Sequence, residues 1–266
     1  MFYTKMIEKI FYFYNFINRS FKNCIFFTLY ILSRPKLLKL VFEGIYLPQY
    51  LQYEWMSKFQ INTFIDIGAN DGNVSKAINY ISPKTTIYAF EPIRKKKDLI
   101  LSKIKSSNLI VEDLALSDHN GIQGFYEYNH SPSSSFLKPN SKVFTKSIKI
   151  AKSYPVKITT LDRYFNNKKI KKPIFIKMDA EGVEDLIIRG GRKLLNKASL
   201  VTIEVAFIES RKNQPPFDSI YGEMARLGFI YKGSIFDSYF YPIFGPKIYE
   251  NSLFIRKGEL SNYLKM

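Results

Sequence analysis

The run Thr63-Phe64-Ile65-Asp66-Ile67-Gly68-Ala69-Asn70-Asp71-Gly72-Asn73 constrains this chain more than any other stretch. A short apolar segment ends in an acid, then turns through two glycines into a segment with helical spacing. A second apolar run, Thr86 to Phe90, is followed at once by Glu91 and Pro92. Strand, glycine turn, helix, strand, acid is the outline of a nucleoside-cofactor site at the edge of a parallel sheet. Gly68 and Gly72 let the backbone, through Ala69 and Asn70, run close beneath a ligand. A dinucleotide fingerprint requires Gly-x-Gly-x-x-Gly, and here Asn70 and Asn73 stand in place of its second and third glycines.

From Asn62 onward the pattern alternates. Strands are predicted over Phe64–Ile67, Thr86–Phe90, Leu109–Glu112, Ile174–Met178 and Leu200–Val205, with helices over Val74–Tyr80, Lys95–Ile104, Val183–Arg189 and Phe217–Leu227. Phe229–Lys232 and Leu253–Lys257 read as a closing hairpin around an aromatic loop that holds Tyr239, Phe240, Tyr241 and Phe244. This is an α/β chain, a parallel sheet covered by helices with an antiparallel end. The span Gly121 to Thr160 breaks the alternation and reads as an irregular insertion, the kind that forms lids or substrate loops.

Residues 1–58 differ in character and form a predicted N-terminal helical extension to a catalytic domain over 59–266. Ile7 to Ser33 is dense in Phe, Tyr, Ile and Leu, with Lys9, Arg19 and Lys22 interspersed. None of its uncharged runs reaches the roughly 18–20 residues that cross a bilayer. It also lacks the cleavage site of a signal peptide. A cytoplasmic protein is expected, with the extension either packed on the domain or lying peripherally on anionic membrane at the inner face. The formal charge of +17 attracts anionic partners. No nucleic-acid-binding motif accompanies it, so no specific nucleic acid is expected. A single cysteine, Cys24, and two histidines, His119 and His130, exclude an internal disulfide and a multi-cysteine zinc site.

Charge then narrows the ligand. Asp66, Glu91 and Asp113 fall at the carboxyl ends of adjacent predicted strands, where ligands bind in such sheets. A pyrophosphate would be repelled there. S-adenosylmethionine carries an ammonium, a sulfonium and free ribose hydroxyls, and no phosphate. Glu91 suits the ribose hydroxyls, an acceptor-only carboxylate meeting two donors. Asp66 suits the ammonium, and Asp113 the adenine amino group with Leu114 against the ring.

At this point the chain resembles the FkbM-type S-adenosylmethionine-dependent methyltransferases. The resemblance runs in order through Phe64–Gly72, Phe90-Glu91-Pro92, Glu112-Asp113-Leu114-Ala115-Leu116-Ser117-Asp118 with Gly121, Thr159–Asp162, Ile176–Glu184 and Glu204-Val205. It implies a Rossmann-like, seven-stranded class I methyltransferase sheet, mostly parallel with the last strand antiparallel, and methylation of a hydroxyl, often on a sugar or natural product. A small-molecule or glycan acceptor is therefore expected.

Asp179-Ala180-Glu181-Gly182-Val183-Glu184 follows the buried strand Ile174–Met178, which puts Asp179 near the middle of the sheet. Methyl transfer is an in-line displacement helped by positioning and by a base for the hydroxyl proton. Asp179 is the first choice for base or hydroxyl orienter and Glu181 the next, while Glu184 suits a cap on the helix start. His130 is a further base candidate in the insertion, and Ser135 a contact for the substrate or the cofactor carboxylate. Glu204 is a candidate substrate contact, with a satisfied buried acid as the alternative. A magnesium ion on Asp179 and Glu204, with Glu181, is a less favoured version. Lys168, Lys169, Lys171 and Lys172 read as a solvated run. The rival readings are a nicotinamide-dependent oxidoreductase and a noncatalytic membrane-associated binding module.

Overall fold

The computed structural model describes residues 33–140, 143, 148–235 and 249–259. Most of the predicted N-terminal extension, and the loop with Tyr239, Phe240, Tyr241 and Phe244, lie outside them. The chain divides into two compact units, one of residues 1–47 with 238–242 and one of 48–237 with 243–266. In the first, Pro35–Phe42 is a helix with proline in its opening turn, where the missing N–H is not needed. No helix among the described residues is long and apolar enough to cross a membrane.

Among the described residues the second unit has ten strands: β1 (Thr63–Ile67), β2 (Thr86–Phe90), β3 (Leu109–Glu112), β4 (Ala115–Leu116), β5 (Gly121–Tyr128), β6 (Ile150–Thr159), β7 (Ile174–Met178), β8 (Leu200–Ala206), β9 (Phe229–Ser234) and β10 (Tyr249–Arg256). Seven of them form one sheet in the order β3-β2-β1-β7-β8-β10-β9. β1 is parallel to β2 and β7, and β7 is parallel to β8. β10 runs antiparallel between β8 and β9. The order reverses between β1 and β7, which opens a crevice at their carboxyl ends.

β1 and β7 are buried at every position, which is why they read as unbroken apolar runs. Their side chains alternate between two cores. Ile65, Ile67, Ile176 and Met178 face the helices Glu184–Gly190 and Phe217–Arg226 through Ile187, Ile188, Ile220 and Met224. Phe64 and Phe175 face the other way, against Tyr53, Met56 and Ile78. Asp66 and Lys177 share that second face by the two-residue period and are paired across the strands. The helices begin and end within a residue or so of the predicted bounds.

The Gly121–Thr160 expectation is corrected. Much of it is ordered as β5 and β6, an antiparallel pair that joins β4 in a second, three-stranded sheet. Phe125, Val156 and Ile158 turn inward against Ile93 and Ala115, while Lys152 and Lys157 face out. One-sided burial, with Gly121, Gly124 and Pro155 as breaks, concealed the strands.

Candidate active site

The turn after β1 is fixed by backbone bonds to the neighbouring strand. Gly68 and Ala69 donate to the Phe90 carbonyl at 3.1 and 3.0 Å. Gly68, Asn70 and Gly72 all have positive φ (74°, 50° and 73°), the left-handed region that glycine and asparagine tolerate best. This shape delivers the Asn70 N–H to Glu91 Oε2 at 2.8 Å, while Ile93 N–H meets Oε1 at 3.0 Å. Glu91 is buried, and burial pushes its carboxyl up to about 7 against the pull of Lys96. Each of its oxygens keeps a further lone pair for a hydroxyl donor. These acceptors therefore fit the ribose hydroxyls of an adenosyl cofactor.

Asp66, Glu91 and Asp113 do stand at or beside the carboxyl ends of β1, β2 and β3, yet none is an uncompensated charge. Asp66 is completely buried rather than open to a cavity. Its Oδ2 accepts from Ser75 Oγ at 2.7 Å, and its Oδ1 lies 3.3 Å from Lys177 Nζ. Asp113 is a half-buried partner of Lys97 at 3.0 Å, which lowers its pKa. Lys96 bonds the Asn70 side chain. The acids are readable from strand ends, but Lys96 and Lys97 come from the next helix, Arg94–Lys103, and balance them. Leu114 packs at the edge of the main core and Ala115 is buried.

Lys177, which the sequence reading passed over, links the two halves of the site. Its Nζ meets Gly68 O at 2.9 Å and lies 3.3 Å from both Asp66 Oδ1 and Asp179 Oδ2. These two aspartates raise its pKa in spite of burial. Asp179 N–H in turn donates to Ile67 O at 3.1 Å. The cofactor turn and the Asp179 loop are thus tied by backbone and by charge.

Past β7, Glu184 folds its carboxylate back onto its own loop and accepts from Ala180 N at 2.8 Å and Gly182 N at 3.2 Å. Asp179, Glu181 and Glu204 converge, each offering a carboxylate oxygen within 4.8 Å of the others. Burial raises the proton affinity of Glu181, up to about 8, with Asp179 and Glu184 adding to it and Arg211 opposing. Burial first, then Asp179, Glu181 and Glu184, also holds Glu204 well above the carboxylate range. Ser135 is buried, donates to Glu181 O at 2.7 Å and accepts from Leu137 N at 3.0 Å, so its proton is committed to the loop. His130 is exposed, and its hydrogen-bond partner is Ser133 Oγ at 2.9 Å rather than any of the acids. Arg211, also unanticipated, pairs with Glu181.

The family model for the FkbM methyltransferase domain matches residues 66–231. This chain belongs to the FkbM methyltransferase family. Its second unit carries the S-adenosylmethionine-dependent methyltransferase domain of that family, which displaces the oxidoreductase reading. A 2-O-methyltransferase of Sinorhizobium fredii, NoeI, is 24% identical over 165 residues, 59% of this chain and 68% of that protein. The FkbM methyltransferase structure from Methylobacillus flagellatus aligns with a TM-score of 0.44 at 12% identity over 73% of this chain, which spans 43% of that one. A TehB-like S-adenosylmethionine-dependent methyltransferase from Corynebacterium glutamicum aligns with a TM-score of 0.42 at 10% identity, over 85% of this chain and 96% of that one.

Proposed function

We propose that this FkbM methyltransferase transfers the methyl group of S-adenosylmethionine to a hydroxyl of a sugar or glycoconjugate. The observation that carries the proposal is the convergence of Asp179, Glu181 and Glu204 beside the turn Gly68–Gly72. Several carboxyl groups crowded together are a natural match for an acceptor with several hydroxyls, since each can accept from one. The 2-O-methyltransferase relative is consistent with transfer to oxygen.

On this reading Glu91 binds the ribose hydroxyls, with Pro92 and the Gly68-Ala69-Asn70 backbone beneath the cofactor, Asp113 and Leu114 at its base, and Ala115 behind them. When bound, S-adenosylmethionine supplies a methyl group on a cationic sulfur. Asp179, partly exposed and held by Lys177, would take the proton of the acceptor hydroxyl as that hydroxyl becomes the methyl ether. Glu181 and Glu204, both pushed toward the neutral form, orient neighbouring hydroxyls as donors or acceptors.

The test is to incubate the protein with labelled S-adenosylmethionine and the glycans of a strain lacking it, then map methyl groups on the isolated sugars. Methyl groups found on nitrogen or carbon, with none on sugar oxygen, would dismiss the proposal.

A separate observation favours membrane contact by residues 1–58. On the helix Pro35–Phe42 and just after it, Leu38, Val41, Phe42 and Tyr46 are 40%, 50%, 90% and 52% exposed, beside an exposed Lys39. Such a face suits anionic lipid at the inner leaflet of a cytoplasmic enzyme. Co-sedimentation of the whole chain with phosphatidylglycerol vesicles checks it; indifference to Phe42→Ser and Val41→Ser together sinks this face.

A further inference from the structure

We infer that Arg211 is a positioning residue that holds the Glu181 carboxylate beside Asp179 and Glu204 and ties two surface segments together at the acceptor side. The inference rests on the proposal that these acids receive the acceptor.

Arg211 is buried. One arm of its guanidinium meets Glu181 Oε2 and, at 3.2 Å, the Ser133 carbonyl; the other lies 3.5 Å from Ser210 Oγ. Around it the segments Ser131–Asn140 and Ile208–Gln214 are laced by backbone bonds. Lys212 N donates to Lys138 O at 3.0 Å and Asn140 N to Ser210 O at 2.9 Å, while Pro139 bridges Arg211 itself. The Arg211 side chain thus joins both segments to an acid of the cluster. Lysine would bring the charge but not a planar fork able to reach Glu181, Ser133 and Ser210 together.

Glu181 supplies an independent sign. Its φ is +61°, a left-handed conformation uncommon for a long side chain and kept only where the surroundings over-determine it. Three restraints do so here. Ser135 Oγ holds its carbonyl, Glu184 holds the amides on either side of it, and Arg211 holds its carboxylate. Glycine would take up that conformation with no side-chain strain. This loop aims a carboxylate instead, and Arg211 fixes where it points.

Arg211, Asp179, Glu184, Lys177 and Glu204 are the charged groups that face Glu181. Removing Arg211 leaves mainly acids and burial, so Glu181 should hold its proton to higher pH. The decisive experiment titrates carbon-13-labelled glutamate side chains by NMR, with Glu181 assigned from the Glu181→Gln spectrum, and uses S-adenosylhomocysteine as a probe of the intact cofactor half. In Arg211→Met the Glu181 midpoint is expected to rise by about one unit or more. In Arg211→Lys it should rise less, and S-adenosylhomocysteine affinity should stay within about twofold in both. An unmoved midpoint in a variant that still binds the probe overturns the inference. Should Arg211→Met fail to fold, Glu181→Gln is read instead, because it keeps shape and removes charge. There the Arg211 guanidinium protons should exchange with solvent about tenfold faster, and unchanged exchange overturns the inference equally.

Discussion

Gly68 lies directly against the backbone of Asp179: a Cβ built on Gly68 would fall 1.9 Å from the Asp179 carbonyl oxygen. Two loops from separate strands, one after β1 and one after β7, therefore share a contact with no room for a side chain. The obstacle is backbone, so it cannot rotate away, and the positive φ adds its own strain. Gly68→Ala is expected to cost about 2–5 kcal/mol, from left-handed strain and overpacking together, and to abolish S-adenosylmethionine binding. Gly124→Ala, where a Cβ meets nothing within 4 Å, should stay within about 0.5 kcal/mol of the parent. Urea unfolding of both variants decides the matter; equal stability would refute the shared-contact argument.

Lys177 is the buried cation between Asp66 and Asp179. Lys177→Met keeps most of the volume but leaves Asp66 charged and sealed from water. Breaking one side of a buried pair costs about 3–5 kcal/mol. The double variant Lys177→Met, Asp66→Asn should recover a large part of that loss, because a neutral amide needs no counter-charge. Chemical denaturation of the single and double variants measures it, and strictly additive losses would show that the two side chains do not act as a pair.

The most plainly legible strands of this chain were those buried on both faces. Phe64–Ile67 and Ile174–Met178 could not be loops, and the acids at their ends, Asp66 and Asp179, come together around Lys177. β5 and β6 were not legible because only one face is covered, and Gly124 and Pro155 interrupt them. Lys177 had left a trace, a charge between Ile176 and Met178 in an otherwise apolar strand. Arg211 left none. Its partner lies 30 residues earlier, and only the packing of the segment after β8 against the loop after β7 joins them. Ser135 was noticed, but its engagement with Glu181 depends on the same tertiary contact.

Glu91 makes both stability and binding depend on pH. Burial lifts its folded pKa from the ordinary 4.5 to about 7, so the folded state binds this proton more tightly than the unfolded chain. Its contribution is fully present below about 4.5 and is lost as pH climbs through about 7. Glu91→Gln should flatten that decline, a difference on the order of 2–3 kcal/mol across the window. Ligand affinity should move the other way. On the proposed contact the ionised carboxylate would accept from both ribose hydroxyls, so S-adenosylmethionine should bind more tightly at pH 8 than at pH 6, and Glu91→Ala should bind weakly at both. Calorimetric titration that finds the parent's affinity level from pH 6 to 8 would remove Glu91 from the ribose contact.

Asp179, Glu181 and Glu204 come as close together as the ligands of a hard cation would, so metal dependence is a question of charge as well as distance. Two cations already attend these acids: Lys177 lies 3.3 Å from Asp179, and Arg211 pairs with Glu181. Glu204, held toward its neutral form by burial and by its acidic neighbours, is a poor ligand until it loses a proton. A divalent ion would have to displace Arg211 and deprotonate Glu204, both against low local dielectric. Methyl transfer is therefore expected to survive exhaustive EDTA treatment with less than about a twofold change, and added magnesium should not raise it. Asp179→Asn should instead lose activity by about 100-fold or more, the scale of a missing general base, while S-adenosylhomocysteine affinity holds. Parallel rate measurements with and without chelator separate these cases, since activity that EDTA abolishes and magnesium restores would assign the three carboxylates to a metal rather than to the hydroxyl proton.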